Sequence, residues 1–193
     1  MIPGSESGTT PLDPDETAGL IPLHITNRQE LDTWELSNII RGERWAFSRR
    51  HRDLLESNFV RELHQRMFDM TWRWAGQLRL TEKNIGIAPA AIATAVHQLC
   101  SDIRTQLDQG VSGLDEIAAR FSHRLVSIYP FANGNGRLSR NMADLLLVQR
   151  SAPRFSWGAG DLAHAGSARQ RYLEALGSAD TGDFTPLLAF VRS

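Results

Sequence analysis

The residues best suited to chemistry lie in one short stretch, Tyr129-Pro130-Phe131-Ala132-Asn133-Gly134-Asn135-Gly136-Arg137-Leu138-Ser139-Arg140. Gly134 and Gly136 flank Asn135, so the backbone can adopt positive φ angles and direct successive N–H groups at an anion. An apolar-patterned helix follows, and the N–H groups of its first turn carry a partial positive charge. Arg137 and Arg140 share one helix face, where two guanidinium groups can bind neighbouring phosphates. The stretch therefore predicts a polyphosphate site.

A simpler interpretation fits the same residue types. Gly-Asn-Gly also occurs in plain turns between two helices, and two arginines at this spacing can lie on a solvated helix face. The residue types taken alone leave both interpretations open.

The whole stretch resembles the signature of the Fic family, His-x-Phe-x-Asp/Glu-Gly-Asn-Gly-Arg-x-x-Arg. The matching positions are Phe131, Gly134, Asn135, Gly136, Arg137 and Arg140. Tyr129 stands where the family has its histidine, and Asn133 stands where it has a carboxylate. Flanking residues extend the resemblance, with Trp74-Ala75-Gly76 on one side and Gly182-Asp183 on the other. Within the family the chain looks most like a bacterial group called mobile mystery protein B, whose resemblance implies a small helix-turn-helix partner protein.

This resemblance implies transfer of AMP from Mg-ATP to a hydroxyl group of a target protein. It assigns nucleotide binding to Phe131, Gly134, Asn135, Gly136, Arg137 and Arg140. Tyr129 and Arg137 take the catalytic positions, and Asn133 takes the position of the Mg²⁺ ligand, where an amide oxygen binds the ion less firmly than a carboxylate. The resemblance also implies a flap that pairs with the target, comprising Arg79, Leu80, Thr81, Glu82, Lys83, Asn84, Ile85 and Gly86. A plain surface turn is the alternative for this segment.

Tyr129 predicts attenuated transfer. A histidine with a pKa of about 6.5 is ready to accept a proton at pH 7, whereas a tyrosine with a pKa of about 10 is roughly a thousandfold short of its basic form. Loss of a general base costs about 10²- to 10⁴-fold in rate. We therefore predict an adenylyltransferase scaffold with reduced activity, and the alternative is a nucleotide-binding pseudoenzyme that captures a protein partner through its flap.

A second departure concerns regulation. Many Fic proteins are restrained by a helix with the pattern Ser/Thr-x-x-x-Glu-Gly/Asn, whose glutamate pairs with the second signature arginine. The stretch from Ser37 to Gly42 resembles that pattern, with Arg41 in the glutamate position. A cation there would repel Arg140, so self-inhibition by this device is expected to be absent. An ordinary amphipathic helix is the alternative, and Glu43 could also reach the site from the next turn.

Composition limits the other function classes. The 193 residues carry a net charge of −1, which gives no general attraction to nucleic acid or membrane. The cluster Arg49-Arg50-His51-Arg52 is the one feature that favours nucleic acid, and it is short. No apolar run approaches the roughly twenty residues of a membrane span, and the N-terminus lacks the pattern of a signal peptide, so a cytoplasmic protein is expected. Cys100 is the only cysteine, and we interpret it as a buried thiol.

The elements that must position these residues are predicted to be helical. Residues 1–22 are polar and lack periodicity, which predicts a flexible segment before a single domain at 23–193. Asn27 and Glu30 form a capping pair, and further helices are predicted around Phe59 to Met67, from Pro89 to Gly110, after a Ser112 cap, from Asn135 to Arg150, around Tyr172 and after Asp183. Alternation from Gly76 to Pro89 predicts a short β-hairpin. The expected fold class is all-α, a Fic-type helical bundle with one hairpin flap.

Overall fold

A computed structural model describes residues 14–52, 54–159, 162 and 166–193. The α-helices in these ranges are α1 (Pro14–Thr17), α2 (Arg28–Phe47), α3 (Ser57–Phe68), α4 (Ile92–Gln109), α5 (Leu114–Ile128), α6 (Asn135–Gln149), α7 (Ser167–Asp180) and α8 (Thr185–Val191). Short 3-10 turns occupy Pro89–Ala91 and Trp157–Ala159. Within the described ranges β pairing is limited to one antiparallel bridge between Leu20 and Trp72. The predicted all-α fold is confirmed.

Local signals explain several helix ends. Asn27 caps α2 by accepting a hydrogen bond from the Glu30 backbone at 2.9 Å, as predicted. Gly110 ends α4 in the left-handed conformation at φ 61°. The Ser112 cap is wrong, because Gly113 is the residue that precedes α5 and no side chain caps that helix. Asp183 lies next to the start of α8 and accepts from the Thr185 backbone at 3.0 Å.

Helices α5 and α6 form the centre of the bundle. Phe121, Leu125, Leu138 and Met142 on these helices are almost completely buried. The α2–α3 pair packs on one side, α4 packs against α5, and α7 packs with α8. The loop between these two helices is therefore anchored at both ends by well-packed helices.

The predicted β-hairpin is not formed. Residues 77–88 contain no strand, although they are ordered by the loop between α5 and α6. Arg79 donates its backbone N–H to Pro130 O at 3.0 Å, and Ile87 donates to Ile128 O at 3.3 Å. The backbone of both limbs thus bonds to the same central loop, and within this described segment no backbone hydrogen bond joins one limb to the other. Alternation of apolar residues could not reveal this, because the competing acceptors lie far along the chain.

The N-terminal prediction divides at the first described residue. Residues 1–13 of the predicted flexible segment lie outside the described residues. Residues 14–22 contact the bundle, since Arg73 donates to Gly19 O at 2.9 Å and Ile21 donates to Thr71 O at 2.9 Å. In the part of the chain that is described, no helix is both long enough and apolar enough to cross a bilayer.

Candidate anion-binding site at the α5–α6 loop

The α5–α6 loop begins with a left-handed residue. Tyr129 ends α5 at φ 54° and ψ 61°, and its N–H donates to Leu125 O at 3.4 Å. Pro130 follows and cannot donate a helical hydrogen bond. The Tyr129 side chain is only 8% exposed, and a Cβ built on Gly86 of the flap would lie 2.6 Å from Tyr129 Cβ. The residue at the family's histidine position is therefore enclosed by the flap.

Asn135 locks the turn from within. Its Oδ1 accepts the Phe131 N–H at 2.9 Å and its Nδ2 donates to Phe131 O at 2.8 Å. Asn135 is buried and Phe131 is fully buried, so both shape the loop from inside. Asn133 is half-buried, and its Oδ1 accepts the Gly134 N–H at 2.7 Å. A second lone pair on that oxygen stays available to a cation.

Gly134 and Gly136 differ in what a side chain at each position would meet. Gly134 has φ 79°, and a Cβ there would lie 2.4 Å from the ring of Phe68, so the turn requires glycine. A Cβ on Gly136 would meet no atom closer than Arg140 Nη1, at 3.5 Å. Glycine at 136 therefore leaves space beside a guanidinium group at the first turn of α6, where the backbone N–H groups have no partners within the helix.

The two arginines have different partners. Arg137 Nη1 donates to Glu35 Oε2 at 3.1 Å, and Glu35 Oε1 accepts the indole N–H of Trp72 at 2.6 Å. The Glu35 side chain is 2% exposed and that of Arg137 is 28% exposed. The Arg140 guanidinium lies 5.5 Å from the centre of the Tyr172 ring. It is half-buried and has no hydrogen bond or ion pair with the described residues.

His64 is a site residue that sequence analysis missed. Its Nδ1 accepts the Gly76 N–H at 2.9 Å, so Nε2 carries the proton and donates to Asn133 O at 3.0 Å. Its ring stacks on Phe131 with centroids 3.8 Å apart. Burial lowers the pKa of His64 to about 3, so the imidazole is neutral. Only its place on the apolar face of α3 could have suggested this role.

Arg79 organises the flap. Its Nε donates to Tyr129 O at 2.7 Å, and its two terminal nitrogens donate to the carbonyls of Thr81, at 2.8 Å, and Ile87. The guanidinium is buried and joins both limbs of the flap to the loop. The flap residue next to Arg79 is exposed to solvent, since Leu80 is 90% exposed. Glu82, Asn84, Ile85 and Gly86 are also exposed, whereas Thr81 and Lys83 are partly covered.

The predicted regulatory residues are not brought to the site. Arg41 pairs with Asp69 at the end of α3. Ser37 is exposed and donates only to Thr33 O, at 3.3 Å. A Cβ on Gly42 would lie 2.8 Å from the backbone of Met67, so this glycine permits the close crossing of α2 and α3. The stretch is explained by helix packing.

Two remaining candidates also have structural partners. Glu43 accepts the side-chain N–H of Asn141 at 2.9 Å and so does not contact Arg140. In the predicted basic cluster, His51 Nε2 lies 2.8 Å from Ala46 O and its ring lies 4.9 Å from that of Trp45. Arg49 packs over the same indole.

The fold and the loop define a class of all-helical proteins in which a left-handed, glycine-containing turn precedes a central helix. The sequence model of the family described as the Fic/DOC family matches residues 54–147, which contain this loop. The match covers just under half of the chain and supports membership of this family.

Two relatives are named Protein adenylyltransferase fic-1. The relative from Caenorhabditis briggsae is 28% identical over 120 residues, which cover 61% of this chain and 22% of that protein. The relative from Caenorhabditis elegans is 27% identical over 120 residues, which again cover 61% of this chain and 22% of that protein. The match thus spans about a fifth of the length of these proteins.

Solved structures have the same fold. The N-terminal Fic domain of a putative cell filamentation protein from Bartonella quintana, with bound ADP, has a TM-score of 0.68 at 16% identity and covers 88% of this chain and 86% of its own. BepC from Bartonella tribocorum, with bound AMPPNP, has a TM-score of 0.65 at 16% identity and covers 92% and 95%. Fic-1 from C. elegans has a TM-score of 0.63 at 21% identity and covers 92% of this chain and 51% of its own.

Proposed function

We propose that this protein is a Fic-type protein adenylyltransferase scaffold that binds Mg-ATP at the start of α6 and is attenuated by Tyr129. The observation that carries the proposal is the space beside Gly136 and Arg140. Gly136 has open space where a side chain would lie, and that space adjoins the half-buried Arg140 guanidinium. This guanidinium packs over the Tyr172 ring and has no hydrogen bond or ion pair with the described residues. Such a cation and the N–H groups of a helix start are the groups that bind phosphate.

The proposed reaction is attack of a target hydroxyl on the α-phosphorus of ATP with pyrophosphate as the leaving group. Arg140 and the first N–H groups of α6 stabilise the charge that moves to the leaving group. Arg137 contributes its remaining donors, with its guanidinium held through Nη1 by Glu35. The flap, anchored by Arg79, holds the target segment so that its hydroxyl lies in line.

The site also fits Mg²⁺. Asn133 Oδ1 keeps one lone pair after accepting the Gly134 N–H, and the described residues contain no cluster of three acidic, histidine or cysteine side chains that could hold a metal ion independently. Asn133 and the substrate phosphates would therefore hold the ion. When bound, Mg²⁺ neutralises phosphate charge.

The binding alternative is a pseudoenzyme that loads ATP and captures a protein partner. One observation favours it. The phenol at position 129 is 8% exposed beneath the flap, whereas Leu80 on the flap is 90% exposed. A stable partner complex without covalent AMP would support this function over transfer.

Calorimetry with Mg-ATP tests the proposed site. We expect the wild-type protein to bind, and Arg140→Ala to lose about 10- to 100-fold in affinity, because one charge-assisted contact to phosphate is removed. Arg150→Ala is the matched control, since Arg150 is exposed at the other end of α6. Equal affinity of all three proteins, or no binding by the wild type, would overturn the proposal. Intact-mass analysis then reports any transfer of AMP.

A further inference from the structure

We infer that residues 14–20 form a strap that sets the position of the flap, with Glu16 as its anchoring residue. The inference rests on the proposed function only where it assigns the flap to the target protein. The contacts themselves are independent of any nucleotide. Glu16 is thus inferred to be a positioning residue for the acceptor side of the reaction.

Glu16 binds two residues of the flap through one carboxylate. Its Oε2 accepts from Lys83 Nζ at 2.6 Å, and its Oε1 accepts from Thr81 Oγ1 at 3.1 Å. The side chains of Lys83 and Glu16 are 3% and 11% exposed. A buried ion pair is strongly weakened when one of its two charges is removed. The ion pair therefore fixes the middle of the flap against α1.

The strap is itself attached to the bundle. Trp74 Nε1 donates to Glu16 O at 2.9 Å. A Cβ on Gly19 would lie 2.6 Å from the Trp74 ring, so the strap backbone lies directly on that indole. Leu20 then pairs with Trp72 through the antiparallel bridge. These contacts hold the Glu16 backbone while its carboxylate holds the flap.

The strap and the α5–α6 loop hold the flap through different groups. Arg79 fixes the two ends of the flap to Tyr129, Thr81 and Ile87. Glu16 fixes Thr81 and Lys83 between those ends. The contacts described for Glu16 are with Trp74, Thr81 and Lys83, which all lie outside the α5–α6 loop. Release of the strap should therefore affect presentation of the target and leave ATP binding unchanged.

Chemical labelling of the lysine amine tests the contact between Glu16 and Lys83 directly, because Lys83 is the only lysine in the sequence. Acylation with an N-hydroxysuccinimide ester, followed by mass mapping of Lys83, measures the accessibility of its amine. We expect the wild-type lysine to react slowly and Glu16→Gln to raise the rate about tenfold or more, because the amine loses its buried partner. Glu82→Gln is the matched control, since it removes the same charge from an exposed flap residue. Equal rates of Lys83 acylation in the three proteins would overturn the inference that Glu16 holds the flap.

A second measurement separates positioning from a structural role. In Tyr129→His protein, Glu16→Gln should lower the rate of AMP incorporation at saturating ATP severalfold while the KM for ATP stays unchanged. A parallel rise in the KM for ATP would contradict action on the acceptor side. The acylation result does not depend on activity, so an inactive Tyr129→His protein with a fast-reacting Lys83 in Glu16→Gln would count against the proposed transferase and still support the strap.

Discussion

The carboxylate of Glu35 and the guanidinium of Arg137 are 3.1 Å apart, although 102 residues separate them in the chain. Glu35 lies in α2 and Arg137 lies in the first turn of α6. The ion pair therefore joins α2 to the candidate site. The second oxygen of Glu35 accepts the indole N–H of Trp72. One buried carboxylate thus orients an arginine in the first turn of α6.

Replacement of this carboxylate tests its contribution to stability. We expect Glu35→Gln to lower the free energy of unfolding by about 1–2 kcal/mol, because a neutral amide accepts more weakly from both partners. Urea denaturation gives the value, and Glu43→Gln serves as the control on the same helix. An unchanged midpoint for Glu35→Gln would show that the pair contributes nothing to stability.

Histidine at position 129 should raise transfer. Its pKa is suited to accepting a proton at pH 7, and histidine tolerates the left-handed backbone that Tyr129 adopts at φ 54°. We expect Tyr129→His to incorporate labelled AMP about 10²-fold faster than wild type. Tyr129→Phe, which also lacks a base, is the control and should match the wild-type rate. If ATP binds equally well and the histidine variant stays as slow as wild type, the missing base is not the cause.

Alanine substitutions at the two glycines of the loop should affect different properties, the stability of the fold at Gly134 and the affinity for Mg-ATP at Gly136. Gly134→Ala places a methyl group 2.4 Å from the Phe68 ring at a positive φ, so it should destabilise the fold by about 1–3 kcal/mol. Gly136→Ala meets no close neighbour and adds a helix-favouring residue, so its thermal midpoint should hold or rise. It should nonetheless weaken Mg-ATP binding in calorimetry, because the methyl group fills the space beside Arg140. Unimpaired binding by Gly136→Ala would exclude that space as the ligand position.

His64 should make stability depend on pH. Its folded pKa is about 3, below the unfolded value of about 6.5, so the unfolded chain binds more protons between these values. The contribution is complete above pH 6.5 and is lost as pH falls toward 3, with a slope of at most about 1.4 kcal/mol per pH unit. His64→Gln keeps a donor and an acceptor but does not titrate. It should be less stable at pH 7, and its stability should fall less steeply with acid, as measured by urea denaturation at pH 4–8.

Local signals in the sequence were sufficient for helices α2 to α8 and for the turn that precedes α6, whereas α1 and the Gly113 start of α5 were not predicted. The Asn27 cap and the Gly134 turn depend on neighbours within a few residues, so residue types predict them. Glu35 and His64 act over 102 and 69 residues, and no local pattern marks them. The hairpin prediction was wrong for the same reason, since Arg79 joins the limbs of the flap to Tyr129, which lies 50 residues away. The regulatory interpretation of Arg41 likewise missed its distant partner Asp69.

At position 129 the main chain is held by hydrogen bonds of its own. Its N–H donates to Leu125 O and its carbonyl accepts from Arg79 Nε, so neither bond involves the phenol. Mutation can therefore exchange the side chain while the surrounding architecture stays intact. If the proposed function holds, one codon sets the rate of transfer without rebuilding the fold.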